Sequence, residues 1–247
     1  MTKAFLDETE KDGLFLLGGF LGNCAQWDDL EKAWDETRKG KRIHLSAMRK
    51  NRSSAALLKN LGSLPCSAGL TPYYVSVRPS DYKDMLKTDG EKLAFEPYIV
   101  CLPMLLRLID RRIPKEESIK FAFERNDRYD AHACAIFEES EKIRTSEGKA
   151  RFASWEFFAT EACPLLQTAD YFIYAQRERL NNPNSPEAVW SSPILNADPK
   201  GAVKWEFGRD VIRKVIAANL AGGCDFGTMM SSYLKEIRRA RHPRRQR

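Results

Sequence analysis

The sequence predicts a layered domain of the α/β or α+β class, built on a mixed β-sheet flanked by helices. Three observations predict it. Two short apolar runs near the start flank an Asp-Gly turn, later apolar runs alternate with helix-length segments, and a composition 43% hydrophobic and 11% aromatic suffices for a packed core. A leading hairpin followed by alternation favours a mixed sheet over an all-parallel one. At 247 residues the expected organisation is a single domain over 1–234, with helical insertions and a C-terminal helical extension, followed by a basic tail over 235–247.

Residues 3–8 (KAFLDE) and 14–21 (LFLLGGFL) are the hairpin strands, joined where Asp12-Gly13 signals a tight turn. In the first strand Phe5 and Asp7 share one face, while Ala4, Leu6 and Glu8 share the other. Trp27, Leu30 and Trp34 fall at helical spacing within 27–38, opposite a face of acids. Residues 42–45 read as a short extended piece. A helix over 53–61 is expected to end at Gly62 and Pro65. Residues 72–78 (PYYVSVR) read as a strand, and 91–112 as a long buried helix bent around Pro97 and Pro103. A strand over 118–124 (SIKFAFE) sets Ile119, Phe121 and Phe123 on one side, and a helix over 129–143 follows. Next come a strand over 151–160 and a helix over 165–180. Residues 181–201, rich in Asn, Pro and Ser, read as an exposed loop, with helices from Glu206 to Leu220 and into the tail beyond it.

Composition narrows the function classes. The longest apolar run, Tyr98 to Leu106, contains Pro103 and meets Arg107, well short of the roughly 20 residues of a spanning helix. Asp7, Glu8, Glu10 and Asp12 stand where a secretory signal needs a basic start and an unbroken apolar run, so no signal peptide and a soluble cytoplasmic protein are expected. Six scattered cysteines without C-x-x-C spacing read as reduced, buried thiols, which argues against zinc fingers and disulfide scaffolds. The seven basic residues between Lys235 and Arg247, set against one acid, carry the whole net charge of +6. Arg238, Arg239, Arg241, Arg244 and Arg245 there are either a nucleic-acid contact or a solvated terminus.

Acidic residues in apolar surroundings carry the chemical signal. Asp7-Glu8 closes an apolar run and Asp170 lies inside a hydrophobic helical stretch, where an ionised carboxylate costs several kcal/mol, roughly, unless a cation or donors meet it. A shared metal ion would meet both; an arginine or a loop cap would meet Asp170 alone. Glu124 ends its strand beside small Ala122, which leaves room near the carboxylate, although strand-end acids often simply face a loop. His44, between Ile43 and Leu45, is a candidate assistant or a packing histidine. Other chemistries lack their motifs: Gly18-Gly19 lies inside a strand, and no phosphate-cradling loop, G-x-S-x-G elbow or H-E-x-x-H occurs.

Taken in order, Phe5-Leu6-Asp7-Glu8-Thr9, Leu14 to Phe20, Ile43-His44, the strand ending in Glu124 and Leu166-Gln167-Thr168-Ala169-Asp170 resemble the bacterial and phage family named domain of unknown function 3800. The resemblance spans about residues 3–180. Thr9 stands where the family usually has Ser, and Lys41-Arg42 where an acid often precedes the His. The resemblance implies a ribonuclease H-like fold, in which Asp7, Glu124 and Asp170 converge at one end of the sheet and hold magnesium or manganese. It further implies a metal-dependent nuclease acting by in-line attack of water, with Glu8 or His44 assisting and Gln167 orienting a carboxylate or the water. Two alternatives stand beside it. One is a non-catalytic protein of a mobile-element or phage-defence system that binds nucleic acid or a partner. The other is a hydrolase of small nucleotides.

Overall fold

The computed structural model describes residues 1–41, 43, 54–80, 97–140, 143–159, 162–195 and 203–207. The chain opens with strands β1 (Thr2–Lys11) and β2 (Leu14–Asn23) and helix α1 (Cys24–Arg38). Helix α2 (Ala55–Ser67), strand β3 (Thr71–Val77), helix α3 (Pro97–Arg112), strand β4 (Ile119–Glu124) and helix α4 (Asp130–Ser140) follow. Then come strand β5 (Phe152–Phe158), helix α5 (Leu166–Asn181), the short helices α6 (Pro186–Trp190) and α7 (Ser192–Leu195), and strand β6 (Val203–Phe207). The six strands form one mixed sheet in the order β5-β4-β1-β2-β3-β6. β2 runs antiparallel to both β1 and β3, whereas β1–β4, β4–β5 and β3–β6 are parallel.

The hairpin forms where local chemistry dictates. Asp12 (φ 53°) and Gly13 (φ 71°) both adopt left-handed backbone, which a two-residue turn with positive φ at both centres requires and Asp-Gly supplies. Side-chain alternation then sorts the sheet into two packed faces. Ala4, Leu6, Phe15, Leu17, Phe121 and Phe123 pack with α3 and α4 on one side. Phe5, Leu14, Leu16, Phe20, Tyr74 and Ala122 pack with α1, α2, α5 and α7 on the other. The result is a three-layer α/β/α domain.

Several sequence expectations are corrected. Gly62 and Pro65 do not end α2, which runs to Ser67. It stops at Gly69 (φ 71°), where Gly69 N–H donates to the Cys66 carbonyl and Leu70 N–H to the Pro65 carbonyl, closing the helix with a left-handed glycine. Gly62 serves packing instead, since a Cβ there would lie 3.2 Å from both the Ile194 backbone nitrogen and the Tyr171 hydroxyl. The 181–201 segment is no plain exposed loop: it holds α6 and α7, and Ala188, Ile194 and Leu195 are buried. Glu206 and Phe207 belong to β6, so the helix expected from Glu206 does not begin there. Of the described cysteines, all free, Cys101 is buried and Cys66 is exposed, so a uniformly buried set is wrong. The helix expected over 91–112 begins, in its described part, at Pro97. His44, the 208–220 helix and the basic tail lie outside the described residues.

One buried charge is part of the scaffold. Arg151, fully buried at the entrance to β5, donates from Nε to Asp110 Oδ1 (2.8 Å) and from Nη1 to the carbonyls of Pro114 (2.6 Å) and Glu117. Its Nη2 reaches the carbonyls of Asp110 (3.1 Å) and Ile113 (2.8 Å), so it caps the C-terminal end of α3 and ties it to β5.

Candidate functional site

Asp7 lies near the middle of the sheet, on strand β1 between β2 and β4. Across β2 it faces Gly18, which contributes no side chain. On the other side Phe5 pairs with Ala122 and Leu6 with Phe123, so Asp7 and Glu124 are the next positions along the two parallel strands. Both continue the Phe5/Ala122 face, the one covered by α5. Glu124 is the last residue of β4 and is half-buried.

Two contacts fix the course of α5 over this face. A Cβ on Gly19 would fall 2.0 Å from the Phe5 carbonyl oxygen and 3.1 Å from Ala169 Cβ, so the glycine lets the helix approach at that point. Further along, Arg177 Nη1 donates to Thr9 Oγ1 at 3.0 Å. The helix therefore runs in the same direction as β1. Asp170 stands between these contacts, beside Asp7.

The electrostatics agree with that placement. Burial pushes the Asp7 carboxyl well above the usual carboxylate range, and the negative charges of Glu8, Asp170 and Glu124 push it further. Against them, among the described residues, stands one donor: the Glu8 N–H, 2.8 Å from Asp7 Oδ1. Glu8 points to the opposite face, toward α3 and α4. Burial raises its carboxyl to about 7 despite a hydrogen bond from Asn126 Nδ2 (2.7 Å), and Glu124 and Asp130 add to the rise. Tyr98, on that side, is also raised by burial and by Glu8, Asp130 and Asp7.

The structure thus brings Asp7, Glu124 and Asp170 together and leaves Glu8 as their neighbour behind the sheet. Gln167 is buried one turn before Asp170, and its Oε1 accepts the Ile43 N–H at 3.1 Å. That bond ties the residue before His44 to the site's helix. Asn126 was not singled out from sequence, because an Asn in a turn is the ordinary expectation. Arg177 was missed as well. Its signal was available, since it lies two helical turns after Asp170 on nearly the same side.

The donor set is oxygen-only, as hard divalent cations prefer. Among the described residues, however, no group of three or more His, Cys, Asp and Glu side chains is arranged to hold a metal ion as it stands. The acids share a field without forming a closed shell. Among the described residues no helix is long and apolar enough to cross a membrane. No family model matches the chain, and no curated protein is significantly similar to it.

Proposed function

We propose that this is a ribonuclease H-like, metal-dependent phosphodiesterase of the domain of unknown function 3800 type, acting in the cytoplasm on nucleic acid. One observation carries the reading: Asp7 is buried, and its charged neighbours include three carboxylates. Desolvation and like charge both act against such a group, and groups perturbed in this way cluster at functional sites. Asp7, Glu124 and Asp170 would hold magnesium or manganese, and a bound ion of this kind supplies water activation and charge stabilisation for phosphodiester hydrolysis.

The chain's own residues do the rest. Asp7 is held by the central strand and Asp170 by a helix set close against it. Gln167 spends its Oε1 on the Ile43 N–H, which supports a role in docking that segment more than one in orienting water. Glu8, on the other face, supports the position of its neighbours rather than binding beside Asp7. A nucleic-acid partner along the basic tail, through Arg238, Arg239, Arg241, Arg244 and Arg245, completes the reading.

Calorimetric titration with Mn2+ tests it, together with hydrolysis of single-stranded, double-stranded, hybrid and mononucleotide substrates. Binding and cleavage that vanish in Asp7→Asn and Asp170→Asn are the expected result. The substrate panel separates a nuclease from a hydrolase of small nucleotides. The unclosed shell favours a second reading, a non-catalytic nucleic-acid- or partner-binding protein. Wild-type protein that binds nucleic acid while ignoring Mn2+ and chelators would establish that one instead.

A further inference from the structure

The sheet is sheltered unevenly. On the side of α3 and α4, Ile119, Phe121 and Phe123 of β4 pack in one cluster with Trp155 and Phe157 of β5. On the other side α5 lies over β1 and β2 and only grazes β4. Exposure records the change: on that face Lys120 and Glu156 are exposed and Ser154 and Phe158 are half-buried, with small Ala122 between them. The register makes them neighbours, Lys120 beside Ser154, Ala122 beside Glu156 and Glu124 beside Phe158. β4 and β5 thus form an open floor, and α5 stands along it as a wall on the β1 side.

Two lysines share one end of that floor. Lys3 of β1 and Lys120 of β4 are direct cross-strand partners, and alternation places half-buried Lys3 on the same face as Phe5. Like charges set opposite each other on a sheet destabilise it. Among the described residues neither ammonium is ion-paired. Lysines often blunt an edge strand, but β4 is not an edge, since β5 lies outside it. Paired cations on interior strands, left open to solvent, are an arrangement that an anion stabilises. Lys3 also precedes Asp7 by four residues on the same face of β1, about 13 Å at roughly 3.3 Å per residue. A flat lipid surface cannot reach a floor beside a standing helix, whereas a slender polyanion can.

We propose that Lys3 and Lys120 are a phosphate-binding pair, and that the open floor of β4 and β5 is the track on which a single nucleic-acid strand lies as it approaches Asp7. The proposal deepens the nucleic-acid reading above and needs no metal. Glu156, on the outer strand, repels phosphates and so keeps the backbone over β4 and β1 instead of at the sheet edge.

Fluorescence anisotropy of a labelled single-stranded oligonucleotide, titrated with the full chain in EDTA, reads the track without any divalent ion. Lys3→Gln and Lys120→Gln should each weaken binding about fivefold at about 0.1 M salt and lower the slope of log K against log salt by about 0.7, and the double variant by about 1.4. Lys120→Arg, which keeps the charge, should retain both affinity and slope. Melting should show no loss of stability in either glutamine variant, because each removes a like-charge contact. Oligonucleotide binding with an unchanged slope in the double variant overturns the track and leaves the basic tail as the nucleic-acid contact. Wild-type protein that binds no oligonucleotide in EDTA overturns the nucleic-acid reading and the track with it, whatever Mn2+ does. Polyglutamate that displaces the oligonucleotide at equal charge concentration overturns the choice of partner in favour of an acidic protein. Should Lys3→Gln fail to fold, exposed Lys120→Gln decides: an unchanged slope there overturns the proposal.

Discussion

Arg151 is fully buried, and every nitrogen of its guanidinium reaches an acceptor; Asp7, 7% exposed on the central strand, meets one backbone N–H and three carboxylates. Both are charges withdrawn from water, at a cost of several kcal/mol, roughly, for an ion without partners. At Arg151 the fold provides the compensation from α3 and the turn after it. Burial alone would raise Asp110, but hydrogen bonds from Lys115 and Arg151 outweigh it and hold that carboxyl below its ordinary value. At Asp7 the fold does the reverse and gathers charge of the same sign. The difference separates a buried charge that the fold compensates from one that it sets against charge of its own sign.

Removing the compensated ion should cost most. Arg151→Met strands four carbonyls and leaves Asp110 with Lys115 alone, with an expected loss of about 3–5 kcal/mol in urea unfolding. A loss below about 1 kcal/mol, the value of an ordinary surface pair, would erase the contrast.

Next in size is the response to pH. Glu8 has a folded value of about 7 against 4.5 for the free group, so the folded state binds more protons across that window. Stability of the metal-free protein should therefore fall as pH rises from 4.5 to 7, by about 3 kcal/mol at most, with Asp7 acting in the same direction. Melting curves in chelator across that range check the sign. Mn2+ should flatten them, and a rise in stability with pH would contradict the charge-gathering account.

Asp7→Asn should then stabilise the metal-free protein, by about 1–3 kcal/mol, while abolishing divalent-dependent cleavage. Loss of both properties together would class Asp7 with Arg151 as structural. The smallest effect is expected at Gln167→Leu, which leaves the buried Ile43 N–H without its acceptor and should cost about 1–2 kcal/mol. Faster hydrogen exchange at the Ile43 amide, compared with the core of β2, would show it.

What sequence could reveal divides along the same line. The hairpin was legible because Asp12-Gly13 fixes its own geometry, and β4 because Ile119, Phe121 and Phe123 alternate with Lys120, Ala122 and Glu124. Asp7 and Asp170 were legible as acids out of place among apolar side chains, whereas Glu124 joined them only through the family resemblance. β6 was not: it is five residues long, and its parallel partner β3 lies far away in the chain, so no local pattern announces it. The Asn-Pro-Ser composition of 181–195 hid α6 and α7, because Ile194 and Leu195 are buried through tertiary packing around Gly62 of α2, which local composition does not register. Arg151 and Asn126 stayed hidden for a related reason. Their partners are carbonyls and carboxylates brought near only by the finished fold.

Asp7 and Glu8 are consecutive residues, yet they belong to different chambers, divided by the strand they sit on. Inserting or deleting one residue between Thr2 and Leu6 would exchange the two, sending the shorter acid behind the sheet and the longer one under α5. The spacing of this strand is thus a reading frame in its own right, and a shift of a single amino acid would spoil both chambers at once.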